Sequence, residues 1–155
     1  MIDISHNESL SHFVAKKIKM TRINIISVEE LMDQHLIAEY REITMIPASL
    51  LRTLSSKKGL DYNKIPKEFT LNRGHVYFFY DKGLYLSKRY NLLKNEMIKR
   101  GFRPDKSRRF PKDIFKDNGL YNDWEPKANE YIIIKKRIKE KINLKPQWYK
   151  KTSTK

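Results

Sequence analysis

The chain has 155 residues, which is enough for one hydrophobic core and too few for two full-sized domains. Its 33 Lys and Arg residues outnumber 18 Asp and Glu, and the formal charge of +15 predicts a polyanionic partner, most often nucleic acid. Charge alone leaves two other interpretations open: a basic protein that has no polyanionic partner, and a protein that binds membrane surfaces. The absence of cysteine excludes disulfides, zinc–thiolate sites and thiol catalysis.

The first nineteen residues are polar and aperiodic. They lack the apolar centre of a signal peptide, and Asp3 and Glu8 argue against an organelle transit peptide. No apolar run in the chain approaches the length of a membrane span. We therefore expect residues 1–19 to be a disordered extension or no part of the functional chain, 20–150 to form the domain, and 151–155 to be a basic tail.

The first predicted helix follows "SVEE", in which Ser27 and Glu30 have the spacing of a capping box. Apolar and aromatic residues then recur every three or four positions as far as Ile43. Pro47 should kink or end this helix, and "ASLLRTL" could continue it as a second piece. Residues 55–73 read as a loop.

A second helix is predicted from about residue 81 to Arg100, stopped by Gly101. Residues 102–124 form a second long loop, which is basic. Pro126 suits the first turn of a third helix, whose apolar face carries Ile134 and Ile138 while its other faces carry lysines. The fold class expected is mainly α: a single compact domain of about three helices, with long loops and an N-terminal arm packed against the helices.

Several kinds of catalytic site have no signal here, including a glycine-rich phosphate loop, a Gly-x-Ser-x-Gly elbow, a cluster of acids for Mg²⁺ and a His–carboxylate metal spacing. A basic protein can still act on DNA through a free amine that attacks the sugar C1′ and forms an imine. An α-amino group suits this chemistry, because its pKa of roughly 7.7–8.0 leaves about a third of it neutral near pH 7.4. Lysine, with a pKa of about 10.4, is neutral in only about one molecule in a thousand.

Met20-Thr21 resembles the start of a chain, and a small second residue favours removal of methionine. An extended arm over residues 21–28 would reach about 23 Å, and the helix from Glu29 to Glu42 would span about 20 Å. If the arm folds back beside its own helix, a Thr21 amine can reach Glu42. Arg22 and Arg41 adjoin these two residues in sequence.

The motifs "MTRIN", "DQHL", "AEYRE", "GHV", "FFYDK", "KRGF" and the terminal "WYK" occur in this order across residues 20–150. Together they resemble the small phage-type pyrimidine-dimer DNA glycosylases (phage-type endonuclease V). The resemblance implies a metal-free, cofactor-free monomer that acts on double-stranded DNA containing cyclobutane pyrimidine dimers or abasic sites. It also implies abasic-site lyase activity, and a cytoplasmic, nucleoid-associated location with no membrane partner.

The resemblance also assigns roles to particular residues. The exposed α-amine of Thr21 would be the nucleophile once the preceding residues are lost, and Glu42 would be the catalytic carboxylate. The implied DNA contacts are Arg22, His35, Arg41, Arg137, Lys141, Trp148 and Tyr149. Met45 stands where the family has an arginine one turn beyond the glutamate, so one phosphate contact is missing. The loop over 102–124 departs most from the family pattern.

Plainer interpretations stay open for some of these residues. His35 and His75 could be packed histidines with no chemical role, and Trp148 and Tyr149 could cap the core. If residues 1–19 are retained, Thr21 has an amide nitrogen without a nucleophilic lone pair, and the chain would be a non-catalytic binder of damaged or kinked DNA. A metal-dependent nuclease is a third alternative, which activity in excess EDTA would dismiss.

Overall fold

The computed structural model describes residues 23–154. Over this range the regular structure is helical, with short 3₁₀ turns between the α-helices and no β-strand. The α-helices are α1 (Asp33–Glu42), α2 (Met45–Ser55), α3 (His75–Phe78), α4 (Gly83–Lys99), α5 (Asp113–Asp117) and α6 (Ala128–Leu144). The expectation of a mainly α single domain is confirmed.

Helices α1 and α4 pack against each other at the centre of the core. The rings of Tyr40 and Tyr90 stack with centroids 5.2 Å apart, and their hydroxyls lie 3.2 Å apart. Leu36 and Leu93 have no exposed surface. Burying such side chains contributes roughly 1.5–3 kcal/mol each, so the α1–α4 contact fixes the position of the rest of α1.

The first helix starts later than the capping-box pattern predicts. Ser27 makes no side-chain cap bond and precedes only a 3₁₀ turn over Val28–Glu30, and α1 begins at Asp33. The physical reason is the Arg100 guanidinium, which donates to the backbone carbonyls of Val28 at 3.1 Å and Glu29 at 3.4 Å. Those carbonyls are turned towards a buried cation, so the Ser27 capping box was a wrong prediction.

Pro47 is the third residue of α2. Proline is tolerated in a first turn, since the amide hydrogen that it lacks has no intrahelical acceptor there. The chain breaks between α1 and α2 at Ile43 and Thr44, and the predicted second piece over "ASLLRTL" belongs to α2.

Helix α4 ends as predicted, at Lys99 followed by Arg100 and by Gly101 with φ +90°. Gly83 at its start is required by packing, because a Cβ there would lie 2.4 Å from the Phe115 ring. Phe115 belongs to α5, which lies within the predicted 102–124 loop. A five-residue helix carries almost no sequence signal, and burial of Phe115 against Gly83 accounts for its formation.

Helix α6 begins at Ala128, two residues after Pro126 rather than with it. The Glu130 carboxylate accepts the Lys127 amide at 3.0 Å, which fixes the start of the helix at Lys127. Ile134 is buried as the periodicity predicts, whereas Ile132 is 66% exposed. Most of α6 therefore faces solvent.

No helix over residues 23–154 combines the length and the apolar character that crossing a membrane requires.

Candidate active site and nucleic-acid interface

The arm that precedes α1 is buried and lies against the helix that follows it. Ile23, Ile25 and Ile26 are at most 4% exposed. The Asn24 amide donates to Glu39 Oε1 at 3.0 Å, fifteen residues further along the chain. An early arm residue thus contacts the last part of α1, so the arm runs antiparallel to the helix.

A buried ion pair fixes this contact. Arg89 of α4 donates to Glu39 through Nε at 2.6 Å and Nη2 at 3.0 Å, and through Nη1 to the Ile26 carbonyl at 2.5 Å. Burial acts to lower the pKa of the Arg89 guanidinium, but the charge and hydrogen bonds of Glu39 raise it overall, so Arg89 stays charged. Glu39 and Arg89 therefore clamp the arm from both sides of Ile25.

Ile25 itself has a positive φ of +51°. A β-branched residue is strained in this region, at a cost of roughly 1–3 kcal/mol. The Ile26 amide bonds the Asn24 carbonyl across it at 2.5 Å, which makes a tight three-residue turn. The bonds between Asn24 and Glu39 and between Arg89 and Ile26 hold this turn on both sides.

His75 holds the first described residue of the arm. The Ile23 amide donates to His75 Nε2 at 2.9 Å, and His75 Nδ1 lies 2.8 Å from the Thr70 carbonyl. An acceptor Nε2 and a donor Nδ1 are satisfied together only by the neutral Nδ1–H tautomer. In this geometry His75 links the arm to the segment before α3 through hydrogen bonds.

The predicted residues Thr21 and Arg22 lie outside the described residues. Arg41 and Glu42 are the last two residues of α1, at the end of the helix that Asn24 contacts through Glu39. Arg41 is exposed and Glu42 is half-buried, one turn beyond the clamped Glu39. Met45, the departure from the family pattern, is 53% exposed at the start of α2.

A second group forms at the other end of α1. His35 is buried, and its ring stacks on Tyr149 with centroids 4.8 Å apart. Trp148 packs edge-on against Tyr149 at 4.9 Å and is 56% exposed. His35 and Glu42 are seven residues apart, or about 10 Å along the helix, so these aromatic residues do not adjoin the carboxylate.

The C-terminal segment is bound to the start of α1. The Asp33 amide donates to the Lys150 carbonyl at 2.7 Å, and the Thr152 hydroxyl donates to Asp33 Oδ2 at 2.5 Å. Burial acts to raise the pKa of Asp33, but hydrogen bonds from Thr152 and the Arg100 guanidinium lower it below its ordinary value. These bonds hold Trp148 and Tyr149 against α1, although α1 is more than 100 residues earlier in the chain.

Helix α6 supplies the remaining predicted cations. Arg137 and Lys141 are half-buried and one turn apart, while Lys135, Lys136 and Lys139 are exposed. Lys135 lies 3.7 Å from Glu30 in an exposed pair, which contributes little to stability. The basic face that the sequence predicts for this helix is thus exposed to solvent.

Sequence reasoning missed the clamp residues Glu39 and Arg89, and also the buried contacts of Arg100 with Asp33 and Glu96. A signal was present, since Glu39 lies three residues after Leu36 and four before Ile43, on the apolar stripe of α1. Arg89 holds the same position between Leu86 and Leu93 on α4. A charge at a core position of each of two helices predicts a buried pair.

Replacement of Arg89 by methionine should destabilise the fold by about 3–5 kcal/mol, because Glu39 would remain buried without its cation. Lys88→Met is the matched control. Lys88 is next to Arg89 in the chain and pairs with Asp123 at 2.6 Å, but the side chains of this pair are about half exposed. That control should cost at most about 1 kcal/mol. Urea unfolding of both variants checks this, and equal losses would show that the buried pair does not anchor the arm.

Among residues 23–154, no group of three or more His, Asp or Glu side chains is arranged to hold a metal ion. A protein-family model, described as pyrimidine dimer DNA glycosylase, matches residues 20–110. The match starts at Met20 and contains the whole arm, the Glu39–Arg89 clamp and Glu42. It covers more than half of the chain, and the chain belongs to the pyrimidine dimer DNA glycosylase family.

Proposed function

We propose that this protein excises pyrimidine dimers and then cleaves the strand as an abasic-site lyase, with Thr21 as nucleophile and Glu42 as catalytic carboxylate. It would act as a monomer on double-stranded DNA with cyclobutane pyrimidine dimers or abasic sites, in the nucleoid. The proposal requires a chain that begins at Thr21, with residues 1–20 absent or removed. The start of the family match at Met20 supports this requirement.

The observation that carries the proposal is the contact between Asn24 and Glu39. Thr21 precedes Asn24 by three residues, and Glu42 follows Glu39 by three. The described part of the arm runs antiparallel to α1, and an arm that continues in the same direction would carry Thr21 towards Glu42. Three residues of arm reach up to about 10 Å and three residues of helix advance about 4.5 Å, so this arrangement would allow the amine to reach the carboxylate.

The first step breaks the glycosidic bond. The neutral α-amine of Thr21 attacks C1′ of a dimer nucleotide, and the electron pair of the C1′–N bond leaves with the base, which then takes up a proton. The attached nitrogen loses a proton, and its lone pair then displaces O4′ from C1′. O4′ keeps the electron pair of the broken bond and takes up a proton, which leaves a protonated imine between Thr21 and C1′. The Glu42 carboxylate would stabilise the cationic sugar as it forms and receive the proton from the amine.

The second step breaks the strand. The imine makes the C2′ proton acidic, and a base removes it while the C3′–O bond breaks and its electron pair leaves with the phosphate. Glu42 suits this proton transfer too, since it adjoins the amine in the proposed arrangement. Water then hydrolyses the imine and restores the free amine.

The basic residues would hold the DNA around this centre. Arg22 and Arg41 flank the two reacting residues and would bind phosphates there, while Arg137 and Lys141 of α6 would bind the backbone further away. Trp148 and Tyr149 of the C-terminal segment pack with His35 of α1, the helix that carries Glu42, and this aromatic group is suited to stacking against a distorted duplex. The net charge of +15 adds salt-dependent, non-specific affinity.

Reduction with borohydride during turnover tests the proposal, because it converts an imine into a stable amine. The chain that begins at Thr21, mixed with a dimer-containing duplex in excess EDTA, should form a covalent protein–DNA adduct. Strand cleavage without any adduct would contradict the imine, and cleavage that EDTA abolishes would favour a metal-dependent nuclease. DNA binding without cleavage would instead favour the non-catalytic alternative.

A further inference from the structure

The basic loop after α4 reaches the end of α1. Arg108 Nη2 donates to the Thr44 hydroxyl at 3.1 Å, and that hydroxyl donates to the Arg41 carbonyl at 3.1 Å. Thr44 is the second of the two residues between α1 and α2, two positions after Glu42. A guanidinium from a distant part of the chain therefore lies at the junction that carries Arg41 and Glu42.

Side chains of α4 hold the backbone of this loop in place. Lys94 of α4 is 9% exposed, and its ammonium donates to the carbonyls of Lys106 at 3.2 Å and Arg108 at 2.9 Å. The Tyr90 hydroxyl also donates to the Arg108 carbonyl, at 3.3 Å. A buried ammonium must be paired with acceptors, so Lys94 and the loop carbonyls hold each other in place.

The loop is strongly cationic. Residues 103–112 contain five basic residues and one acidic residue, Asp105, which gives a local charge of +4. Asp105 accepts the Ser107 amide at 2.9 Å and the Ser107 hydroxyl at 2.6 Å, which tightens the turn before Arg108. The Asp105 carboxylate is used mainly within the turn, where the hydrogen bonds from Ser107 and, to a smaller extent, the charges of Lys94 and Arg108 hold its pKa below the ordinary value. The loop keeps its excess of positive charge, and Lys106, Arg108 and Arg109 are exposed.

We propose that Arg108 and Arg41 form a phosphodiester-binding site at the α1–α2 junction, which holds a DNA backbone phosphate beside Glu42. The Arg108 guanidinium is exposed and has five N–H donors, of which the Thr44 bond uses one. Its planar fork fits a phosphate with two parallel hydrogen bonds. The carbonyl end of α1 repels anions by its dipole, so a phosphate beside Glu42 needs cations from elsewhere.

This inference rests on the proposed position of the reaction centre at Glu42, and its test measures binding without the imine chemistry. The probe is a duplex with a tetrahydrofuran abasic analogue, which has no C1′ leaving group. Affinity is measured between 50 and 200 mM salt. Arg109→Gln is the matched control, because it removes the same charge from the next position in the loop. The Arg109 guanidinium donates to the Lys106 carbonyl at 2.8 Å, within the loop, and not to the α1–α2 junction.

Arg108→Gln should weaken binding about tenfold, as loss of one charge-assisted phosphate contact would. It should also lower the slope of log affinity against log salt by about 0.9, the value for one phosphate. Arg109→Gln should weaken binding by less than about threefold, a non-specific effect of charge. Thr44→Val keeps the Arg108 charge but removes the hydroxyl that positions the guanidinium. Its loss of DNA affinity should lie between the losses of the two arginine variants.

Equal losses for Arg108→Gln and Arg109→Gln, or a salt slope unchanged by Arg108→Gln, would overturn the proposal. Urea unfolding of each variant separates a folding defect from lost binding, and an Arg108→Gln variant that loses stability but no affinity also contradicts it. Borohydride trapping by the unmodified chain is independent of these outcomes. Failure to trap would remove the imine proposal, whereas the ratio of the two arginine variants decides the phosphate site.

Discussion

Replacement of Glu42 by glutamine should lower excision and strand cleavage by about 10²- to 10⁴-fold, the range that a positioned acid–base group contributes. The amide keeps the shape of the side chain but can neither stabilise the cationic sugar by charge nor take up a proton. Single-turnover cleavage of a dimer-containing duplex measures the loss. Affinity for the same duplex should stay within about threefold, since removing a negative charge does not weaken attraction to phosphates.

Glu140→Gln is the matched control for this experiment. Glu140 is exposed on α6, and its replacement changes the net charge by the same amount. It should leave turnover unchanged. A Glu42→Gln protein with the turnover of the Glu140→Gln protein would remove Glu42 from the mechanism.

The second large effect concerns the N-terminus. A chain that keeps residues 1–20 should cleave at least about 10³-fold more slowly than a chain that begins at Thr21. An internal Thr21 has an amide nitrogen without a nucleophilic lone pair, and any substituting lysine is neutral in about one molecule in a thousand. DNA affinity should change by less than about tenfold, because the cations of the domain remain.

A protease site placed directly before Thr21 gives the best control for this prediction. Activity should appear in the same sample when the protease releases Thr21, with both states verified by intact mass. An uncut chain that cleaves DNA as fast as the released chain would contradict the terminal-amine mechanism. The intact mass of the protein from its natural host then shows which form is made there.

The helices were predictable where one face is apolar and the stop signal is local. Gly101 ends α4 with a positive φ, and Ile134 is buried on α6, as the pattern predicts. The start of α1 was not predictable, because Arg100 diverts the carbonyls of Val28 and Glu29 across 71 or 72 residues. Capping patterns in the sequence describe only neighbouring residues, so they cannot predict contacts over such distances along the chain.

The same distinction applies to the candidate site. Arg41 and Glu42 were proposed as site residues from motif order, and both lie at the end of α1. The Glu39–Arg89 clamp and the Arg108–Thr44 contact join residues 50 and 64 positions apart. The position of Glu39 and Arg89 on apolar stripes indicates the clamp from the sequence. No local pattern indicates that the basic loop lies at the α1–α2 junction.

The site of the covalent bond tests the central claim most directly. The borohydride-trapped adduct of the chain that begins at Thr21 would be digested, and the peptide that carries the sugar remnant would be sequenced by mass spectrometry. The terminal-amine mechanism predicts a remnant on the α-nitrogen of Thr21, in the peptide Thr21-Arg22. A remnant on a lysine side chain, with an unmodified N-terminus, would contradict it.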